Sequence, residues 1–399
     1  MMEAGRLTTV VVRRQALDGA KQPDKAYDLV YAIVEYVNHV QREGVFHARE
    51  LPAVAIQAYH ADFYLAQVNN GGHSQFIGNA GANLPTTSAD ALAGLKAMGA
   101  DAQHQILSEM VAWLNANPEE AAAQNGFSVR AKLLDELDTR FYEADKQSPM
   151  VDRSANWIAT WPELRAVEDD QYAAEILKLA QLNPHLAPRR IWQSTQSLLY
   201  EMTERLQLTV AVACGAVTPD PEVKLAVRAG SQMEIEGQMC MAFGVGTDNG
   251  TRLCVFEDTG GRLYEYLKSP PLPATATPEQ KRTFRHMTAG RRLSIASMET
   301  ILAFLEMAEQ TLAAEAIDLL LRKAALEPSS AVTAWKLHDN GATWIVVSGQ
   351  RRVIAATSTD RATLTQRDGT PVASVTRAEI EQHAALAATG GASMQQPAA

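Results

Sequence analysis

The sequence predicts a multidomain α+β protein, with an all-α N-terminal helical domain followed by a mixed α+β C-terminal region with antiparallel hairpins. Apolar residues recur at helical spacing from about residue 24 to 206. Beyond that point short apolar runs alternate with turn residues, a strand-and-hairpin texture. A chain of 399 residues is also long enough for two or three separate cores.

The elements follow in order. Residues 1–19 read as a lead-in, poorly ordered or weakly extended. In the domain 20–206, Leu51, Val54, Ala58 and Leu65 keep one helical face apolar. Tyr172, Ile176 and Leu179 do the same, as do Trp192, Leu199 and Leu206 one heptad apart. Ser88 opens a helix ending near Gly99, Asp101 opens the next, and Pro118 stops it. The expected core includes Leu65, Val68, Phe76, Ile77, Leu95, Leu134, Leu137, Phe141, Ile176 and Leu199.

Residues 207–386 form the α+β region, as one unit or as 207–278 and 279–386. Val210–Val217 is a short apolar element. Strands are expected at Met233–Val245, Arg252–Glu257 and Arg262–Tyr266, joined by hairpin turns at 247–250 and 258–261. The proline-rich stretch from Ser269 to Pro278 reads as a stiff connector. Ser294–Leu326 reads as helical, and five short strands follow between Val332 and Val375. Residues 387–399, rich in Ala, Gly and Gln, have the composition of a disordered tail.

Composition narrows the function. The chain is 46% hydrophobic and 21% charged with a net charge of −10, as for a globular protein. Residues 1–205 hold 26 Asp and Glu against 18 Lys and Arg, whereas 206–399 hold 20 against 18. A negative front half argues against direct nucleic-acid or anionic-lipid binding, and permits a basic protein partner. Three cysteines without CxxC spacing point to a reducing compartment. No apolar run approaches the roughly 20 residues of a membrane span, so a cytoplasmic location is expected.

The densest motif is Asn69-Asn70-Gly71-Gly72-His73-Ser74-Gln75-Phe76, set between two apolar helical stretches. Asn and Gly tolerate left-handed backbone, so a helix stops here and another starts at once. On a structural reading the glycines make the turn and the asparagines cap it. On a functional reading Asn69, Asn70, Gly71, Gly72, His73, Gln75 and Asn79 form a binding corner, with His73 as acid–base.

Other motifs yield less. Nine histidines are scattered without HxH or HExxH spacing, so no metal site is expected; His60 and His73 flank the corner. Asp258-Thr259-Gly260 matches the aspartic-protease tripeptide but has no second copy, and reads as a hairpin turn. The glycines 244, 246 and 250 do not have dinucleotide-fingerprint spacing. Cys240 between Met239 and Met241 reads as strand packing. No cofactor is expected.

The run Leu65-Ala66-Gln67-Val68-Asn69-Asn70-Gly71-Gly72-His73-Ser74-Gln75-Phe76-Ile77-Gly78-Asn79 resembles the signature of a bacterial helical family typified by a DNA-mimic protein. The likeness continues through Ala91–Ala100 and Leu134–Tyr142, covering about residues 25–180. Gln67 stands where the family usually has an acid, and His73 where it has an aromatic. The resemblance implies an all-α domain without known catalytic activity, and an acidic surface that occupies the DNA-binding face of a regulator.

A duplex mimic must present about one charge per 1.7 Å of axis. The best local clusters here are Asp135, Glu136 and Asp138, and Glu168, Asp169 and Asp170. The expectation is a non-enzymatic protein-interaction module that binds a DNA-binding regulator or toxin-like effector through this acidic helical face. The alternative is a small-ligand or hydrolytic site at the Asn-Asn-Gly-Gly-His corner.

Overall fold

The computed structural model describes residues 2–395, apart from 4, 23, 127–128, 270, 274, 276 and 279–286. It is mixed α+β, with a helical front part and antiparallel sheets behind. Contacts divide the chain between Leu186 and Ala187 into two compact units. The divide falls before the change of texture at 206. Helices Leu186–Thr203 and Arg205–Gly215 look like their predecessors in sequence. However, Leu198, Met202 and Leu208 join the core of the second unit. Hydrophobic periodicity reports an element's type and not the core it enters.

The front unit holds helices Ala26–Gly44, Ala53–Ala80, Leu84–Ala97, Asp101–Ala116, Lys132–Gln147, Met150–Ile158 and Tyr172–Ala180, with shorter pieces between them. One core gathers Leu29, Ile33, Tyr36 and Val40 with Ile158, Ile176 and Leu179. A second gathers Tyr64, Val68, Phe76, Leu95, Leu134 and Phe141. Helix Asp101–Ala116 runs between its expected signals, and helix Leu84–Ala97 starts one turn before Ser88.

Of the two expectations for the lead-in, extended chain is found at Arg6–Leu7 and Val10–Arg13, but it is neither poorly ordered nor weakly held. Val10–Arg13 pairs in parallel with Leu164–Val167, and Val10, Val11 and Val12 are fully buried. The valines have strand propensity, but their partner lies far along the chain, where no local pattern announces it. Leu199 is also corrected: it is only half-buried and packs in the second unit.

The second unit contains two five-stranded antiparallel meanders. The first comprises Lys224–Ile235, Gln238–Thr247, Gly250–Glu257, Gly260–Lys268 and Met287–Ser297. The second comprises Ser329–His338, Gly341–Ser348, Arg351–Ser358, Arg361–Thr365 and Pro371–Thr376. Two-residue turns set the register, as at Asp248-Asn249 and Asp339-Asn340. Leu263, Trp344, Val353 and Leu364 pack with Ile317, Leu320 and helix Arg205–Gly215 in one shared core.

Three expectations change in this unit. Met233–Val245 is not one strand, because Glu236 (φ 53°) and Gly237 (φ 78°) turn it into a hairpin. Ser294–Leu326 is not one helix: Ser294–Ser297 ends a strand, and helices Met298–Gln310 and Ala313–Lys323 meet at Leu312, φ 50°. The expected disordered tail is helical to Gln395. There Gly390 lies so close to helix Leu186–Thr203 that a Cβ would stand 2.1 Å from Pro188 O. Small residues read as disorder in isolation, but here they allow two helices to touch. Residues 396–399 and part of the expected connector 269–278 lie outside the described residues.

Candidate functional site

The Asn-Asn-Gly-Gly corner lies inside helix Ala53–Ala80, which breaks at two non-helical residues, Gly71 (φ −154°, ψ 21°) and Gly72 (φ 76°, ψ −176°). A stop followed at once by a start is therefore what forms. Breaking a helix orphans carbonyls on one side and amides on the other. Three of these groups, Val68 O, Gly71 O and His73 N, find partners from other elements.

On the carbonyl side, Tyr142 Oη donates to Val68 O at 2.8 Å and Arg130 Nη2 donates to Gly71 O at 2.8 Å. On the amide side, His73 N donates to Asp138 Oδ1 at 2.8 Å. Asp138, on helix Lys132–Gln147, thus does from a distance what an N-cap residue does locally. Gly72 makes this approach possible. Its φ suits glycine, and a Cβ there would fall 2.0 Å from Asp138 Oδ2.

The same carboxylate oxygen lies 2.5 Å from His73 Nδ1, and His73 Nε2 lies 2.8 Å from Tyr64 Oη. An ionised carboxylate can only accept, so Nδ1–H donates to Asp138, and on a neutral imidazole the Tyr64 hydroxyl is assigned as the donor to Nε2. Burial, then the nearby Asp138 charge, pushes the Tyr64 hydroxyl well above its ordinary range, which keeps it a donor. Phe141 closes edge-on over both rings, with centroids 5.3 Å from Tyr64 and 6.1 Å from His73. Tyr64 and His73 are each 0% exposed.

The neighbours close in the same way. Ser74 Oγ donates to Val129 O and accepts from Gly126 N, both at 2.9 Å. Gln75 Nε2 and Asn79 Nδ2 both donate to Gln67 Oε1, at 3.0 and 2.6 Å. The candidate corner therefore splits. Gly72, His73 and Gln75 are buried, Gly71 is half-buried, and Asn69, Asn70 and Asn79 face solvent. His60 is separate from His73 in its bonding, with Nδ1 2.8 Å from Asp90 Oδ2.

This geometry bears directly on acid–base chemistry. A carboxylate does face His73, but both ring nitrogens are engaged and the ring has no solvent contact. A general base must reach its substrate's proton directly or through one water. His73 is placed to hold two helical halves and helix Lys132–Gln147 together.

The acidic-face candidates also separate. Asp138 is a correction: it is buried under His73 and presents no charge to a partner. The sequence carried a sign of this, because Asp138 falls on the Leu134, Leu137 and Phe141 stripe of its helix. Asp135 is exposed but 3.9 Å from Arg130, and Glu136 is 3.7 Å from Lys132. Glu168 pairs with Arg14 at 2.6 Å, while Asp169 and Asp170 are exposed. Tyr64, Arg130 and Tyr142 were not singled out in the sequence, because their roles arise only when distant elements meet.

What fold and site define together is a helical domain organised around a closed polar knot. Residues 49–161 match the family model described as DMP19-like protein, named for DNA mimic protein 19. No curated protein and no solved structure matches the chain. Among the described residues, no helix is long and apolar enough to cross a membrane.

Proposed function

We propose that this chain is a non-enzymatic protein-interaction module. Its helical front unit recognises a basic protein partner, a DNA-binding regulator or toxin-like effector, through an acidic surface. The observation that carries the reading is the DMP19-like match over residues 49–161. Two features support it. The matched segment holds 13 Asp and Glu against 7 Lys and Arg. The acid–base candidate of the glycine corner, His73, is sealed inside.

The attraction does not come from a continuous stripe. On helix Lys132–Gln147 acids alternate with bases, and Arg140 bridges to Glu109 at 2.5 Å. Exposed adjacent acids include Asp169 with Asp170, and Glu119 with Glu120 where helix Pro118–Ala122 begins.

The test is capture from the native cell on the immobilised full chain, beside charge-reversed chains carrying Asp169→Lys with Asp170→Lys, or Glu119→Lys with Glu120→Lys. A basic protein retained by the wild type, released by salt and lost in one reversed chain supports the reading. Retention that ignores both salt and reversal sinks it.

A further inference from the structure

The second unit contains a cavity with the makings of a small-molecule site, unrelated to the matched helical domain. It lies on the face of the second sheet that points away from the main core. That face is set by register: Ile345 stands opposite Ile354, while Trp344 and Ala355 point the other way into the core. A bulge between Ala334 and Lys336 adds Trp335 beside them. Val223 completes the apolar floor from the segment preceding the first sheet.

The cavity encloses about 250 Å³. This is just under the roughly 300–1,000 Å³ usual for small-molecule sites, so its occupant is small. Around the apolar floor stand charged groups of both signs, Arg352 and Arg367 with Asp220 and Asp248. They are not equally free. Asp248 is used internally, accepting from Val223 N and from Arg352 Nη1, each at 2.8 Å. Arg367 and Asp220 are exposed and, among the described residues, make no ion pair. Lys336 adds a further cation, its Nζ 4.2 Å over the Trp335 ring.

We propose that this cavity binds a free α-amino acid with an apolar side chain. The carboxylate goes to Arg367, backed by the remaining N–H groups of Arg352. A guanidinium fork matches a carboxylate better than any other side chain. The ammonium goes to Asp220. The side chain lies on Trp335, Ile345 and Ile354. A purely anionic ligand would leave Asp220 opposed to it, and an apolar ligand would leave Arg367 unused. The zwitterion satisfies both, in a volume too small for a nucleotide.

The experiment is calorimetric titration of the full chain with L-phenylalanine and L-leucine, alongside N-acetyl-L-phenylalanine and L-phenylalaninamide. Saturable one-to-one binding of a free amino acid is expected, with each blocked form weaker by about ten-fold or more. Arg367→Gln removes binding with no change in melting temperature, since the residue is exposed. Asp220→Asn erases the preference for the free amino group. Absence of saturable binding by both free amino acids overturns the proposal, as does binding indifferent to Arg367→Gln. Equal binding of the N-acetylated form also overturns it, because the cavity then reads a carboxylate such as a peptide C-terminus.

Discussion

Gly72 and Asp138 depend on each other. The glycine's positive φ turns the His73 amide toward the carboxylate, and its missing side chain leaves room for that carboxylate. Gly72→Ala therefore meets backbone strain and a collision together. We expect a loss of about 1–3 kcal/mol in unfolding free energy, read by denaturant titration. Stability within a few tenths of wild type would show that the kink tolerates a side chain.

Tyr64→Phe tests the other end of the array. It leaves His73 Nε2 buried without a donor, and should cost about 1–3 kcal/mol while keeping the packing against Phe76 and Phe141. A variant as stable as the wild type would mean that Nε2 finds another donor.

Asp62 is a separate matter of charge. Burial alone lifts its carboxyl from 3.8 to about 6. The folded chain holds this proton more tightly than the unfolded chain, so stability falls as pH rises from near 4 to near 6, then stays flat. Asp62→Asn should remove that slope and raise stability at pH 7, measured as unfolding free energy across the window. An unchanged pH profile would place the carboxylate in better contact with water than its surroundings indicate.

At the scale of elements, the last helix depends on small residues and on a buried hydrogen bond between His383 and Asp318. Asp318 on helix Ala313–Lys323 receives Arg322 Nε and His383 Nε2, each at 2.7 Å, and Arg189 Nε donates to Ser393 Oγ at 2.8 Å. Where Gly390 crosses Pro188 no side chain fits. Gly390→Val should loosen residues 377–395 and lower stability by about 1–3 kcal/mol, visible as early amide exchange in that helix. Protection equal to wild type would show that the helices can separate without penalty.

The same contrast explains what the sequence shows of the elements. Hairpins at Asp248-Asn249 and Asp339-Asn340 were legible because a turn is a local chemical event. The turn at Glu236-Gly237 was hidden inside an apolar run, and Leu312 inside an apolar stripe. Neither Glu236 nor Leu312 favours positive φ, so surrounding structure imposes it.

For the whole molecule, the division at Leu186 means that the front helices and the sheet-rich part each bury their own core. Partner recognition by the front unit should then be electrostatic and weaken with ionic strength. The proposed amino-acid site, by contrast, lies in the second unit. The two proposals are therefore tested separately, by Asp169→Lys with Asp170→Lys and by Arg367→Gln.

What the sequence determined by itself was the change from a helical front part to antiparallel hairpins, the break at the paired glycines and most of the front core. Each of these is written in neighbours within a few turns or a few strand residues. Only tertiary structure decided that Asp138 leaves the surface to hold His73, that the first valines meet a strand at Leu164, and that Arg367 and Asp220 flank one hollow. Such pairings join positions far apart in the chain, and no local periodicity encodes the distance between them.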